Sequence, residues 1–210
     1  MRAFAAGALL IGVLIVSMHA VAAAADGDPP VIVALGDSLT AGLGLVADEA
    51  YPALLEERLR HEGYRYRVVN AGVSGDTTAG GLRRVDWVLR TRPAIVIVAL
   101  GANDGLRHQS VAATRDNLVA IVRRLRAAGA DVLLAGARVP PNYGDDYGRA
   151  FAGVFPDVAR ATGVPLMPFL LDGVAGDGRL NQPDGIHPTA EGQRLIADRL
   201  WPYLKPLLRK

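Results

Sequence analysis

Short apolar runs alternate with longer amphipathic segments from residue 31 onward, and this alternation is the feature that most restricts the fold. Five runs rich in Val, Ile, Leu and Ala stand out, at 31–35, 66–70, 94–100, 132–135 and 164–167. Continuous apolar runs of this length are typical of strands buried on both faces of a parallel sheet. We therefore expect five parallel strands.

The segments between these runs have helical periodicity, and helices are predicted at 49–62, 77–90, 111–128, 146–161 and 189–208. In the third of them, Leu118, Ile121 and Leu125 recur at spacings of three and four residues, and Gly129 ends the pattern. Strand–helix alternation implies right-handed crossovers with helices on both faces of the sheet. Because there is no internal repeat, the prediction is a single three-layer α/β/α domain over 26–210.

Composition excludes several classes of site. The chain has no Cys, which removes disulfides, thiolate metal sites, cysteine nucleophiles and a lipidated Cys. Its 23 Lys and Arg residues against 21 Asp and Glu leave a formal charge of +2, too small for the basic footprint of a nucleic-acid binder. The paired arginines at 83–84 and 123–124 are interpreted as solvated helix faces rather than a polyanion site.

The N-terminus has the pattern of a secretory signal peptide. Arg2 precedes an apolar stretch over 3–25, which ends in three alanines before Asp26. A basic start, an apolar centre and a small-residue end predict cleavage after residue 25 and export to the periplasm or medium. The alternative is an uncleaved anchor, because about 20 apolar residues can span a bilayer.

Ligands of open parallel sheets bind outside the carboxyl ends of the strands, so the residues after each predicted strand are candidates for function. The first strand is followed by Gly36, Asp37 and Ser38. A Ser exposed on a glycine-flanked turn at a helix start is a candidate nucleophile. The alternative for Ser38 is an ordinary helix N-cap or turn residue.

Two further loops carry candidate hydrogen-bond donors. Gly75 follows the second strand, where the absence of a side chain leaves a backbone N–H open to an oxyanion. Asn103 follows the third strand and offers a neutral amide donor. The alternatives are a plain loop with Asp76 as the cap of the next helix, and an ordinary Asn turn.

A candidate base and its orienting acid come just before the last helix. His187 can take up and return a proton near neutral pH. Asp184 can curl back through Gly185 to accept a hydrogen bond from one imidazole nitrogen, leaving the other free to face Ser38. Pro188 is expected in the first helical turn. The alternatives are a surface cap for the His and a turn acid for the Asp.

Taken together, these blocks resemble a known family. The segments GDSL at 36–39, GAND at 101–104 and DGIHP at 184–188, with Gly75 between the first two, are similar to the four blocks of the SGNH (GDSL) hydrolase superfamily. The likeness is greatest to its TesA-like branch of multifunctional thioesterases, arylesterases and lysophospholipases, and it spans nearly the whole chain after residue 25. No GxSxG motif is present, which argues against an ordinary α/β-hydrolase lipase.

The resemblance implies a flavodoxin-like fold and a serine hydrolase that needs no metal or organic cofactor. It implies Ser38 as nucleophile, His187 as base and Asp184 as its orienter. Gly75, Asn103 and the Ser38 backbone N–H would form the oxyanion hole. One departure is Ala102, where close relatives often have a second Gly, so the loop that carries Asn103 is expected to be narrower or stiffer.

The expected substrate is a small molecule, an ester or thioester with a small-to-medium acyl chain or a lysophospholipid. Leu43, Leu106 and Tyr143 are predicted to line the pocket, although the leucines could equally cap the core. A carbohydrate O-deacetylase on the same triad is the first alternative, and a non-catalytic binding protein on the same fold is the second. We expect a monomer without nucleic-acid partners and, after cleavage, without a membrane span.

Overall fold

The computed structural model describes residues 27–210, so the predicted signal peptide at 1–25 lies outside the described residues. Within 27–210, no helix combines the length and apolar character needed to cross a bilayer.

The predicted five-stranded parallel sheet is confirmed. Its strands are β1 (Val31–Gly36), β2 (Arg67–Gly72), β3 (Ile95–Ala99), β4 (Asp131–Ala135) and β5 (Leu166–Met167). Their order across the sheet is β2-β1-β3-β4-β5, with every neighbouring pair parallel. The order reverses direction beside β1, and open α/β sheets bind their ligands in the crevice at such a switch point.

Helices cover both faces of the sheet. They are α1 (Ser38–Ala41), α2 (Tyr51–His61), α3 (Thr78–Arg90), α4 (Ala102–Leu106), α5 (Val111–Ala127), α6 (Asp145–Thr162) and α7 (Ala190–Leu204). Helices α3, α5 and α6 pack together over one face, and α2 packs with α7 over the other. The five predicted helices are confirmed with shifted ends. The short helices α1 and α4 were not predicted, and both lie directly after strands at the carboxyl edge of the sheet.

Successive residues of β1 serve the two cores in turn. Val33 and Leu35 belong to the core beneath α3, α5 and α6, while Ile32 and Ala34 belong to the core beneath α2 and α7. All four are fully buried. This is the burial on both faces that the apolar runs predict, because the two helical layers leave no face of the central strands in water.

Strand β2 departs from the prediction because it is an edge strand. Arg67 and Asn70 are exposed, so the expected burial on both faces is wrong for this strand. Glu56 of α2 reaches over the open edge, where its Oε2 accepts a hydrogen bond of 2.6 Å from the backbone N–H of Val68. A side chain thus satisfies a donor that a further strand would otherwise pair with.

Candidate active site

The four sequence blocks meet at the carboxyl edge of the sheet. Ser38, Gly75 and Asn103 follow β1, β2 and β3, and His187 lies in the loop before α7. Ser38 and His187 are 149 positions apart in sequence, yet their side chains are in hydrogen-bond contact. The blocks thus form a single site.

Ser38 is the first residue of α1, and the turn before it is tightly packed. The N-cap of α1 is Asp37, whose Oδ1 accepts from the Leu39 backbone N–H at 3.0 Å. Ser38 is therefore not the cap, and its hydroxyl is free of that role. Gly36 cannot carry a side chain here, because a Cβ would collide with the Thr40 hydroxyl.

A buried polar network behind Ser38 fixes α1 to the neighbouring helices. The Thr40 hydroxyl lies 2.9 Å from the Tyr51 hydroxyl. Gln193 of α7 accepts from the Tyr51 backbone N–H at 2.9 Å and donates to the Leu39 carbonyl at 3.0 Å. The segment that carries the nucleophile is held on its buried side by groups from both α2 and α7.

Ser38, His187 and Asp184 form a continuous hydrogen-bonded chain, the candidate catalytic triad. His187 Nε2 lies 2.9 Å from Ser38 Oγ, and His187 Nδ1 lies 2.6 Å from Asp184 Oδ2. A carboxylate can only accept, so Nδ1 carries the proton and Nε2 is left as the acceptor for the Ser38 O–H. In this tautomer the imidazole can remove the serine proton.

Asp184 is held by its own turn rather than by burial. Its Oδ1 accepts hydrogen bonds from the backbone N–H groups of Ile186 and His187 at 2.9 and 3.0 Å. Gly185, which directly follows Asp184 in this turn, has a φ of +70°. The bonds from the His187 and Ile186 backbone, followed by the bond from the His187 ring, lower the pKa of Asp184 to about 2. The carboxylate is ionised throughout the neutral range.

The prediction for Pro188 is wrong in detail. Helix α7 begins at Ala190 with Thr189 as its N-cap, so Pro188 lies before the helix. Pro188 instead pairs with Asn181 in an isolated antiparallel bridge. This bridge closes the loop on which Asp184 and His187 lie.

Asn103 lies in the first turn of α4, at the same edge of the sheet. Its Nδ2 donates to the Asp76 carbonyl at 2.9 Å and lies 3.4 Å from Asp37 Oδ2. An amide nitrogen has two hydrogens: one is donated to the Asp76 carbonyl, and the other makes the longer contact with Asp37 Oδ2, which an oxyanion would have to share or replace. Gly75, immediately before Asp76, has a φ of +80°, a conformation that L side chains rarely adopt. The Asp76 cap interpretation is not confirmed, because the N-cap of α3 is Thr77.

Asp37 is a buried carboxyl group next to the nucleophile. Desolvation raises its pKa to about 6, although the hydrogen bond from Leu39 and the electrostatic interaction with His187 act in the opposite direction. The pKa of Asp37 in the folded protein therefore lies close to neutral pH. Sequence reasoning treated Asp37 only as part of the turn.

A cleft of about 620 Å³ opens from the triad. It contains Ser38, Asn103 and His187, and its apolar lining includes Leu39, Leu106, Val139, Pro140, Phe169 and Ile186. Within residues 27–210, no three His, Asp or Glu side chains converge in a way that could hold a metal ion.

The structure brings only one of the three predicted pocket residues into the cleft wall, and that residue is Leu106. Tyr143 lies behind it, where its hydroxyl donates to the Leu106 carbonyl at 3.1 Å. Leu43 lies outside the cleft, 46% exposed, and its carbonyl accepts from Gln182 Nε2. Ala102 also lines the cleft, so the residue that departs from the family pattern is placed where it faces a substrate.

Comparisons with known proteins agree with this geometry. A model of the GDSL-like lipase/acylhydrolase family matches residues 34–195. The chain is 47% identical to esterase TesA of Pseudomonas aeruginosa over 178 residues, which are 84% of this chain and 89% of the relative. It is 41% identical to thioesterase 1/protease 1/lysophospholipase L1 of Escherichia coli K12 over 188 residues, covering 89% and 87%.

Solved structures give the same result. The crystal structure of TesA superposes with a TM-score of 0.83 at 47% identity, covering 85% of this chain and 99% of that one. AlinE4, an SGNH-hydrolase family esterase, superposes with a TM-score of 0.72 at 44% identity, covering 88% and 99%. Since the family match extends over most of the chain and these relatives exceed 40% identity, the chain belongs to the GDSL-like lipase/acylhydrolase family.

Proposed function

We propose that the protein hydrolyses small-to-medium acyl esters and thioesters through a covalent acyl-Ser38 intermediate. Membership of the family makes the chain a carboxylic ester hydrolase. The observation that supports the mechanism is the continuous hydrogen-bonded path from Ser38 Oγ through His187 to Asp184. An alcohol, an imidazole and a carboxylate in this order are the groups that acyl transfer requires.

In the first half-reaction His187 Nε2 removes the proton from Ser38 Oγ as the oxygen attacks the substrate carbonyl. The negative charge that develops on the carbonyl oxygen is stabilised by the Ser38 and Gly75 backbone N–H groups and by Asn103 Nδ2. His187 then donates the same proton to the leaving oxygen or sulfur, and the carbon–heteroatom bond breaks.

In the second half-reaction water replaces the leaving group. His187 removes a proton from the water, the hydroxide attacks the acyl carbon, and Ser38 leaves with the proton returned by His187. Asp184 stays ionised in both steps, because its pKa of about 2 is far below neutral pH. Its role is to keep the Nδ1 proton in place and to stabilise the imidazolium.

The cleft supports an acyl chain as the guest. Its walls are mainly apolar, and a volume of about 620 Å³ lies in the range of small-molecule sites. Its relatives include an esterase, an arylesterase and a thioesterase whose name also includes lysophospholipase. Esters, thioesters and lysophospholipids are therefore the substrates to test.

We also propose that the protein is exported to the periplasm or medium after its leader is cleaved. Residues 1–25 have the pattern of a cleaved leader, and the catalytic domain would begin at Asp26. The intact mass of the protein recovered from the periplasm or medium tests this directly. A mass that matches residues 26–210 supports export with cleavage, whereas a membrane-bound chain of full mass contradicts it.

The decisive experiment is hydrolysis of a p-nitrophenyl ester series from acetate to palmitate by the mature enzyme, beside Ser38→Ala. We expect a preference for short or medium chains and no turnover above background in the variant. A carbohydrate O-deacetylase would instead cleave acetylated sugars well and lose activity sharply beyond acetate. Full turnover by Ser38→Ala would contradict the nucleophile assignment.

A further inference from the structure

The sequence predicted that Arg84 lies on a solvated helix face, and the structure shows that it does not. Its side chain is 23% exposed and lies behind the loop that carries Gly75. The guanidinium donates to the Ala71 carbonyl at 2.9 Å, to the Gly36 carbonyl at 3.2 Å, and through Nε and Nη2 to Asp76 Oδ2 at 2.9 and 2.6 Å. Four hydrogen bonds to three different segments are far more than a surface arginine needs.

We propose that Arg84 is a positioning residue for the oxyanion hole, which it holds in register with the nucleophile through Asp76. The inference rests on the proposed function, because it gives Arg84 a part in the same acyl transfer. Arg84 touches no reacting atom itself, and its charge is paired with Asp76. It therefore acts through geometry.

Asp76 connects Arg84 to two of the three proposed oxyanion donors, Gly75 and Asn103. It directly follows Gly75, so holding its side chain anchors the C-terminal side of Gly75, one peptide plane from the Gly75 N–H. Its backbone carbonyl accepts the 2.9 Å hydrogen bond from Asn103 Nδ2. Asp76 is thus held at its carboxylate by Arg84 and holds the Asn103 amide with its main chain.

The other two acceptors of Arg84 fix its position relative to Ser38. Gly36 is the last residue of β1, two positions before Ser38, and Ala71 lies near the end of β2, four positions before Gly75. A planar guanidinium has donors at fixed angles, so it can connect the ends of β1 and β2 with the Asp76 loop as one rigid unit. An ammonium group, a point charge on a flexible stem, cannot make this set of contacts together.

The local packing of α3 is built around this contact. Gly80 lies one turn before Arg84, and a Cβ there would collide with Asp76 Oδ1. The glycine allows the Asp76 carboxylate to lie against the helix where Arg84 can reach it. Glycine inside a helix costs about 1 kcal/mol relative to Ala, so its presence needs a packing reason such as this one.

Arg83 provides the matched control. It is the neighbouring residue on the same helix, carries the same charge and is exposed. Replacing either arginine by Met changes the net charge equally and preserves the apolar stem. Only Arg84→Met removes the contacts to Gly36, Ala71 and Asp76.

The test is steady-state kinetics of the purified enzyme on p-nitrophenyl butyrate. We expect Arg84→Met to lower kcat by about 10²-fold, the scale of a misplacement near 1 Å, with little change in KM. Arg84→Lys should recover a small part of the loss, and Arg83→Met should remain within about twofold of wild type. Equal kcat values for Arg84→Met and Arg83→Met would overturn the proposal.

A double-mutant cycle with Asn103→Ala separates positioning from general destabilisation. If Arg84 acts through the oxyanion donors, Arg84→Met should cost much less in the Asn103→Ala background than in wild type. Full additivity would overturn the proposal. Should Arg84→Met fail to fold, Arg84→Lys and Asp76→Asn carry the same cycle.

Ser38→Ala distinguishes the two levels of inference. If Ser38→Ala keeps its activity, the proposed mechanism fails and the role of Arg84 fails with it. If Ser38→Ala is inactive while Arg84→Met and Asp76→Asn turn over normally, only the positioning role fails.

Discussion

Asp37 lies next to Ser38 and Asp184 is bonded to His187, yet their surroundings shift the pKa values of these two carboxyl groups in opposite directions. Asp37 precedes the nucleophile and is 1% exposed, and desolvation raises its pKa to about 6. Asp184 precedes the base in an exposed turn, and three hydrogen bonds from Ile186 and His187 lower its pKa to about 2. Hydrogen bonding decides the exposed case and desolvation the buried one.

The difference teaches how the two halves of the site are built. The segment around Ser38 is positioned by tertiary packing, with partners from α2 and α7 that are far away in sequence. The segment around His187 is positioned mainly by local contacts: Asp184 bonds to Ile186 and His187, and the Asn181–Pro188 bridge closes the loop. Substitutions of the packed groups behind Ser38 should therefore affect stability, and those in the Asp184 turn should affect mainly the rate.

The largest effect is expected for Ser38→Ala, which removes the attacking atom. We expect kcat to fall by about 10⁴–10⁶-fold, as for other serine triads. Loss of one small, partly exposed hydroxyl should leave the urea unfolding midpoint nearly unchanged. His187→Ala should have a comparable effect, and the double variant should be little worse, since the two residues act as a unit.

Asp184→Asn tests the half that depends on a local turn. The amide cannot favour the Nδ1–H tautomer as a carboxylate does, so we expect kcat to fall by about 10³–10⁴-fold. Because the side chain is exposed, solvent screens much of its stabilising effect, so the loss of stability at pH 7 should be small. A kcat within tenfold of wild type would break the comparison, since it would mean that the turn alone orients the imidazole.

Asn103→Ala removes one oxyanion donor. We expect a loss of about 10²–10³-fold in kcat with a smaller change in KM, because the bond to the oxyanion strengthens in the transition state. Progress curves on a short aryl ester give both constants. Near-native turnover would remove Asn103 from the oxyanion role.

Asp37→Asn tests the comparison through the pH dependence of the free energy of unfolding. Because its pKa is higher in the folded than in the unfolded chain, the native state binds more protons between about pH 4 and 6. Asp37 therefore lowers the free energy of unfolding as pH rises through that window. The displacement from 3.8 to about 6 corresponds to ~3 kcal/mol.

Urea unfolding of wild type, Asp37→Asn and Asp184→Asn at intervals from pH 2 to 7 measures this effect. Wild type should lose stability relative to the variant as pH rises. Asp184→Asn is the control with the opposite sign, because the pKa of Asp184 is lowered by folding. Wild type should be more stable than Asp184→Asn above about pH 4, and this advantage should disappear as pH falls toward 2. Slopes of the same sign would contradict the contrast.

The smallest effect is expected for Tyr51→Phe. It removes the buried hydroxyl that pairs with Thr40, and loss of one such hydrogen bond costs about 1–2 kcal/mol. Tyr143→Phe is the matched control, because its hydroxyl bonds a carbonyl in a less buried loop. We expect a clear drop in the urea midpoint for the first variant and a smaller one for the second.

Sequence reasoning predicted most of the fold and the convergence of Ser38, Asp184 and His187, because local patterns marked the strands and the loops after them. The apolar runs marked the strands, and polar residues directly after them marked the catalytic edge. The exposure of β2 could not be predicted in the same way. It depends on strand order, and the only signal for it in the sequence was the pair of polar residues, Arg67 and Asn70, in this run.

The residues that sequence reasoning missed act through distant partners. Gln193 bonds to Tyr51 across 142 positions, and no periodicity predicts such a pair. Arg84 was assigned to solvent because it follows another arginine. The adjacent glycines at 80 and 81 were the available signal, because glycine inside a helix usually has a packing reason.

The predicted pocket residues show the limit of reasoning about loops. Tyr143 and Leu43 lie on the expected edge, but loop conformation decides which side chains face the cleft. His108, with a φ of +53°, stacks on Tyr147 at a ring-centroid distance of 3.9 Å. That contact and the Tyr143 hydroxyl fix the loop after Leu106, and neither is encoded in a short motif.

Covalent labelling with a fluorophosphonate, read out by peptide mass spectrometry, tests the central claim most directly. We predict one adduct per chain, on Ser38, appearing in step with the loss of esterase activity. Ser38→Ala should remain unlabelled, and His187→Ala should be labelled far more slowly. An adduct on another residue that tracks inactivation, or full activity after Ser38 is modified, would contradict the account.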